Sequence, residues 1–454
     1  MIMRNYLKGT AVVLAALGFV FVPAVPAMAQ AAQTAQQQTS YTVPEYNAYT
    51  NCQNEKDPQA RIKLLDAFVS QYPSSTLLQY IYLMYYQTYY QLKNYSKALE
   101  YTDKLIALGD KADVMYRMQA IQARVQLFSA AFDAKAADAH DQLAKERDAA
   151  LLGVKILPDY KKAMDTKLTE DQAKAIAAFL DAAAGRANLD LKEYPAAIET
   201  FKAALMANPT DAVSSYQLGR AELAATPPQS LDGFWEVARS IDLKVPNADK
   251  VKDYLRSAIL AYEQPGCDNQ VDAQLSELIQ LAANAPERPA TYTIPSHDDL
   301  TKISQASTII TVLTDLSGGG DKAKQTWLAV CGAEFPEVVG KIIDVQKSDN
   351  YVDFTVFTSA SSDEMQAATT ANMDVKVWIA PNPAAAAGAN AVPPQPDVVR
   401  LEKDDPIRFS GALASYDPSP FLLHWDQVKV DPTTIPEKGT PAKHAPAHKP
   451  APKP

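Results

Sequence analysis

Arg186 and Arg220 stand 34 residues apart, each in a stretch of helix-forming residues. A guanidinium repeated at such an interval suits one chemistry: its planar fork of donors grips a carboxylate through two parallel hydrogen bonds. Tyr80, Tyr90 and Tyr216 fall in stretches of the same kind, as do Arg117 and Arg124. Rings and donor forks suit recognition of an extended or helical peptide rather than bond making. A structural role competes, in which the arginines pair with acidic neighbours such as Asp190 and Glu222. The residues that make and break bonds lack their partners. The five histidines (His140, His297, His424, His444, His448) form no His-Glu-x-x-His pair, and neither Cys-x-x-Cys nor Gly-x-Ser-x-Gly occurs. Gly318-Gly319-Gly320 ahead of Asp321-Lys322 lacks phosphate-loop spacing and reads as a hinge. Cys331 has no histidine placed by sequence to activate it, and carboxylates such as Asp363-Glu364 are ordinary surface. No catalytic residue, metal or cofactor is expected, and the chain reads as non-enzymatic.

Residues 45–285 are dominated by Ala, Gln, Leu, Lys and Glu, and the whole chain has 16 glycines, so this part should be helical. The chain has 454 residues, 47% of them hydrophobic, enough for two or three domains with real cores. A net charge of −10 argues against a general nucleic-acid binder. At the start, Arg4 and Lys8 precede the apolar run Ala11–Val22, and Ala27-Met28-Ala29 fits a cleavage site before Gln30. Residues 1–29 therefore read as a signal peptide, and the product as exported, periplasmic or extracellular. That run is too short to span a bilayer, no cysteine follows the cleavage site, and no later segment is apolar enough to be a transmembrane helix. Cys52, Cys267 and Cys331 are too few for a disulfide framework. Cys267 with Cys331 is a candidate pair flanking one linker, but three partly buried thiols is the reading preferred from sequence.

The stretch LKEYPAAIETFKAALMANP (191–209) carries apolar residues at helical spacing, yet several inward positions are alanine. Gly185, Ala197, Phe201, Ala204 and Pro209 are spaced as one unit; one period of 34 later Gly185, Phe201 and Ala204 recur as Gly219, Trp235 and Ala238, whereas Ala197 maps to Leu231, a departure, and Pro227-Pro228 falls in the turn between helices. Upstream, LKNYSKALEYTDKLIALGD (92–110) aligns with the same stretch, with Asp110 in the Pro209 slot, and follows the tyrosine-rich helix YIYLMYYQTYYQL (80–92). DPQARIKLLDAFVSQYPSS (57–75) looks like another second helix, with a partner in 43–54. The spacing predicts helices over 113–132 and 134–165, and units at 172–210 and 211–244.

This pattern resembles tetratricopeptide repeat (TPR) proteins, over roughly 41–244, with a capping helix at 246–263. The YPSS exit, the aromatic helix and the Asn94-Tyr95 turn also resemble exported repeat proteins of bacterial envelope assembly. The resemblance implies an α-helical TPR solenoid whose first helices line a groove for protein or peptide partners. It aligns Phe179, Ala182, Arg186 and Leu189 with Val213, Tyr216, Arg220 and Leu223, and with Tyr80, Leu83, Gln87 and Tyr90. Arg117 and Arg124 continue the row if the third unit keeps register. The Lys and Asn of the family's carboxylate clamp are not found at these places.

From Val338 the period changes from helical to alternating. GKIIDVQKSDNYVDFTVFT reads as two strands around a Ser-Asp-Asn turn, MDVKVWIA (373–380) as a third, EKDDPIRFSGALASYD (402–417) as a fourth and FLLHWDQVKV (421–430) as a fifth. Five strands in this order, with an irregular stretch at 359–372, resemble a small β-barrel of the OB type, with a compact β-sandwich as the rival. Within 336–430 seven Lys/Arg stand against thirteen Asp/Glu, a balance of −6, opposite in sign to a single-strand binder. Trp378 and Trp425 therefore read as core or partner-contact residues. The tail GTPAKHAPAHKPAPKP is locally basic and reads as disordered or polyproline-like, with contact to anionic envelope polymers second to a solubilising role. The expected organisation is a signal peptide (1–29), a TPR-like helical solenoid (41–265), a helical linker region (266–335), an OB-like β domain (336–431) and a disordered Pro/Ala/Lys tail (432–454). Two functions fit: a non-enzymatic exported scaffold binding protein partners, possible in cell-envelope assembly, or a module whose barrel binds a small ligand or glycan while the repeats position it.

Overall fold

The computed structural model describes residues 41–268, 270–382 and 392–437. The expected signal peptide and the tail beyond residue 437 lie outside the described residues. Ten helices come first: α1 Val43–Asn54, α2 Pro58–Gln71, α3 Leu78–Gln91, α4 Tyr95–Ala107, α5 Val114–Ala131, α6 Ala139–Met164, α7 Glu170–Asp190, α8 Tyr194–Ala207, α9 Ala212–Ala224 and α10 Ser230–Asp242. Each packs on the next, so they form a series of helix pairs, a helical repeat solenoid.

Local chemistry sets the ends of these helices. The hydroxyl of Thr169 caps α7 by accepting from the Gln172 amide, and the Gln172 side chain answers by accepting from the Thr169 amide. Asn94 caps α4, and Asp211 caps α9. The recurring Leu-Lys pair has a backbone reason. Lys93 and Lys192 adopt φ of 56° and 64°, the left-handed conformation that ends a helix. The Asn94 amide then donates to the Tyr89 carbonyl at 2.9 Å, and the Glu193 amide to the Asn188 carbonyl at 2.8 Å. These six-to-one bonds turn the chain into α4 and α8.

The small residues mark where helices cross. A Cβ on Gly185 would lie 2.8 Å from the ring of Phe201, and one on Gly219 would lie 2.7 Å from the Gly233 carbonyl oxygen. Ala183, Ala184, Ala197 and Ala204 are all essentially buried beside them. Axes that approach this closely leave no room for leucine. The aromatic positions of the 34-residue period fill the space between pairs: Phe201 and Trp235 are each 1% exposed.

The chain divides into two compact units. One runs to Leu255 and takes in Ser276–Tyr292; the other comprises Arg256–Leu275 and the chain from Thr293. The division crosses α11 (Ala248–Glu263) and α12 (Val271–Asn284). The second unit holds α13 His297–Ala306, α14 Ile309–Gly318, α15 Gly320–Val330, a short α16 Ser362–Ala367, and strands β1 Glu334–Lys347, β2 Tyr351–Phe357, β3 Met373–Trp378, β4 Pro406–Pro418 and β5 Phe421–Val430. The strands close into a barrel in the order β1-β2-β3-β5-β4. All pairs are antiparallel except the short parallel pairing of β3 with β5 at Met373–Leu423 and Asp374–His424. A closed barrel, not a sandwich, is the result. Alternate inward residues such as Val352, Phe354 and Val356 fill it, each fully buried.

Two features of this unit differ from the sequence reading. Residues 266–335 are no mere linker: Val312, Leu313, Leu316, Ala323 and Trp327 of α14 and α15 belong to the same core as the barrel strands. Their helical period predicts α14 and α15, whereas the partner they cover is not visible in it. The preferred reading of three thiols is also corrected, because Cys267 and Cys331 form a disulfide with Cα atoms 5.6 Å apart. It closes a loop of 64 residues, which stabilises by about 4 kcal/mol through restriction of the unfolded chain. Cys52 remains a buried free thiol. Thiol titration of the denatured, unreduced protein should therefore find one reactive thiol per chain and three after reduction. Three before reduction contradicts the pairing.

Candidate partner-binding face

The first helices of the first three pairs carry a row of tyrosines in ring contact. Tyr41 stacks on Tyr46 at a centroid distance of 5.7 Å, and Tyr46 lies 6.2 Å from Tyr49. Tyr49 of α1 reaches Tyr80 of α3 at 5.8 Å, and Tyr80 meets Tyr116 of α5 edge-on at 5.1 Å. Tyr46 is 43% exposed, and the four others are half-buried. Tyr80 was expected on this face; Tyr41, Tyr46, Tyr49 and Tyr116 were not selected by the 34-residue period. The row crosses from unit to unit at intervals of 31 and 36 residues, since the connecting turns differ in length, and a strict period passes it by. Burial, with Tyr80 and Asp113 close by, pushes the Tyr116 phenol up to about 12, so it stays protonated at neutral pH. Tyr90 lies outside the row. It is half exposed and touches Tyr86 and Tyr95 instead, at 6.3 and 6.0 Å.

The arginines have partners of their own. Arg124 does not line a face: it is fully buried, its Nη1 2.9 Å from Asp103 and its Nε 3.7 Å from Glu146. It also donates to the carbonyls of Lys145 and Gln142, both at 3.4 Å. Burial pushes the Glu146 carboxyl up to about 7, against the pull of Arg124 and then Arg186. Arg186 is half-buried, and desolvation lowers its pKa while Glu146, Asp211 and Asp190 oppose that shift. Asp190 feels Arg220 and then Arg186, which offset the burial that raises it. Arg220 donates to Gln217 at 2.8 Å and sits 5.8 Å from the ring of Tyr216, which in turn meets Tyr254 edge-on at 6.2 Å. Arg117 pairs with Asp110 at 2.9 Å. Charges thus alternate through Arg124, Glu146, Arg186, Asp190 and Arg220. The expected pairing with Asp190 is present in the fields around it, whereas Glu222 faces Lys202 rather than an arginine.

Glu222 is the second buried acid of note. Its side chain is 1% exposed and lies 3.4 Å from the Lys202 ammonium. Burial pushes its carboxyl up to about 8, against Lys202, with Glu236 and Asp232 adding to the rise. Glu236, also raised by burial, accepts from the Ser215 hydroxyl at 2.7 Å.

On the barrel, Trp425 is a core residue, set edge-on to Phe409 at 5.2 Å and Phe335 at 5.9 Å. Trp378 is half-buried on the outer side and meets Tyr351 at 5.4 Å, with the Lys376 ammonium 4.6 Å from the Tyr351 ring. Both ring nitrogens of His424 face carboxylates at 3.0 Å, Nδ1 toward Asp374 and Nε2 toward Asp417. Among the described residues no group of three or more His, Cys, Asp or Glu is placed to hold a metal ion, and no helix is long and apolar enough to cross a membrane.

No family model matches the chain, and no curated protein matches it. A search of solved structures finds similarity to the C-terminal part of a TPR repeat-containing protein from Cytophaga hutchinsonii. The identity is 16%, the match covers 53% of this chain and 92% of that one, and the TM-score is 0.21.

The raised acid gives a signed pH dependence. A carboxyl whose pKa is higher folded than unfolded binds more protons in the native state, so stability falls as pH rises. For Glu222 the window runs from the unfolded value of 4.5 to about 8. Glu222→Gln should raise the melting temperature of the helical unit by a few degrees at pH 8.5 and leave it nearly unchanged at pH 5. Thermal scans of both proteins at the two pH values test this; an equal effect at both contradicts it.

Proposed function

We propose that this chain is an exported, non-enzymatic scaffold that holds protein partners on the tyrosine-lined face of TPR-type repeats, in cell-envelope assembly. The observation that carries the reading is the ring row from Tyr41 to Tyr116 across α1, α3 and α5. Tyrosine supplies large contact area with few rotatable bonds and a polar tip, which is why it is enriched where proteins meet. The repeat scaffold holds the rings at fixed spacing, so little order has to be gained on binding. The arginines Arg186 and Arg220 brace the repeats, and an acidic partner has to compete with Glu146, Asp211 and Asp190 for them.

Export is supported by the signal-like sequence at 1–29 and by the Cys267–Cys331 disulfide, which persists in oxidising compartments. The basic tail is proposed to touch anionic envelope polymers. For the barrel we propose the OB type, supported by the strand order β1-β2-β3-β5-β4 and the parallel β3–β5 pairing. Its acidic balance speaks against nucleic acid, and it supplies a second contact surface. The half-buried pair Tyr351–Trp378 favours a second reading, in which the barrel takes a small ligand or glycan against its outer side.

Tagged full-length protein and three variants can be compared for the proteins they capture from the native envelope. Tyr46→Ala should lose the captured set. Tyr90→Ala, at a ring at least as exposed but outside the row, should retain it, and Arg186→Ala/Arg220→Ala should lower the melting temperature while most of the captured set is retained. Capture that survives Tyr46→Ala and is lost with the arginines would return the binding role to the guanidinium groups.

A further inference from the structure

We propose that Glu263 of α11 and Gln274 of α12 form a proton-locked clasp, closed as an acid–amide pair in mildly acidic solution and opened when the carboxyl gives up its proton. The clasp lies within the stretch Arg256–Leu275 of the second unit and is independent of the tyrosine row.

Hydrogen-bond accounting carries the inference. The Glu263 side chain is fully buried, and the Gln274 amide nitrogen donates to its Oε1 at 2.8 Å. The remaining oxygen of each group, Glu263 Oε2 and Gln274 Oε1, is buried without a hydrogen-bond partner. Two acceptors cannot bond each other, and an ionised carboxylate has no hydrogen to offer. A proton on Oε2 satisfies both oxygens at once. The acid O–H then donates to Gln274 Oε1 while the amide N–H donates to Glu263 Oε1, and two planar groups close through two hydrogen bonds. An ionised Glu263 is instead a buried charge held by one amide, which is costly.

The surroundings offer that charge no other compensation. Arg256, a cation on the same helix, is engaged by Asp268 at 3.0 Å and Asp272 at 2.7 Å. Among the described residues no charged group acts on Glu263: burial pushes its carboxyl up to about 7, and the Gln274 hydrogen bond alone opposes the rise. The titratable neighbour is Tyr262, whose phenol is raised by burial, then by Asp299 of α13 and by Glu263, and so stays neutral.

The pH dependence has a definite sign. Glu263 holds its proton more tightly folded than unfolded, so the clasp is fully effective below 4.5 and is lost as pH rises through about 7. Its proton then passes to water, the bond to Gln274 Oε1 is gone, and a charge is left among helical turns whose Ile259, Val271 and Leu275 are fully buried. The loosening stays local. The Cys267–Cys331 bond still ties the turn between the helices to the end of α15, and the Arg256 ion pairs still join α11 to α12.

Hydrogen exchange of the full-length protein, read on peptides covering 256–275 and corrected for the intrinsic rate, tests this at pH 5.5 and 8.5. The wild type should open about thirtyfold more readily at pH 8.5, the linkage expected when opening returns Glu263 from about 7 to 4.5. Glu263→Gln keeps the shape and puts a permanent N–H in place of the acid O–H, so its opening should change little between the two. Gln274→Met keeps the bulk, deletes the amide and should open more readily than wild type already at pH 5.5. Infrared difference spectra, wild type minus Glu263→Gln, should show a protonated-carboxyl band at pH 5.5 that is gone at pH 8.5, a signature packing alone does not produce. A pH response as large in Glu263→Gln as in the wild type overturns the proposal. So does a wild type with no response, a Gln274→Met protein as protected as wild type at pH 5.5, or no carboxyl band there.

Discussion

The helical half depends on how closely two helices can approach where they cross. Gly185 against Phe201 and Gly219 against the backbone of Gly233 leave space for a hydrogen and nothing larger. With that contact in place, the buried alanines of α7 and α8 become complementary surfaces rather than gaps, and the next pair stacks at a set distance. The regular placement of first helices is what brings Tyr49, Tyr80 and Tyr116, far apart in sequence, into ring contact. A leucine at Gly185 would push α7 from α8, and one at Gly219 would push α9 from α10.

Between the tight crossings the structure manages charge rather than avoiding it. Arg124 is buried without access to water, which is tolerable because Asp103, Glu146 and two carbonyls surround it. The same series continues through Arg186, Asp190 and Arg220 toward the surface. Removing one member leaves its neighbour buried and uncompensated, so these residues hold the stack in register more than they serve a ligand. The aromatic row faces outward over this braced interior. Tyr41, Tyr49, Tyr80 and Tyr116 also pack against the cores beneath them, and Tyr46 is the most exposed ring of the row.

Much of this was legible in the residues. The recurrence of Gly185, Phe201 and Ala204 as Gly219, Trp235 and Ala238 predicts the α7–α8 and α9–α10 pairs, and the Leu-Lys turns mark where α3 folds back into α4 and α7 into α8. The alternation in GKIIDVQKSDNYVDFTVFT predicts β1 and β2. Other features needed coordinates. The ring row escapes a fixed period because turns of unequal length shift Tyr116 two places from where 34 residues would put it. Arg124 reads like Arg186 in sequence, yet it is fully buried against Asp103 and Glu146. The packing of α14 and α15 into the barrel core and the Cys267–Cys331 bond are long-range contacts, which local pattern does not encode.

The central claim is that partners are held on the face of α1, α3 and α5. The most direct measurement places a photoreactive benzoylphenylalanine at position 46, and separately at position 206, where Met206 is 86% exposed on α8. After irradiation in intact cells, the account predicts discrete cross-linked products from position 46 and few from position 206. Equal yields from the two positions, or products from position 206 alone, would contradict it.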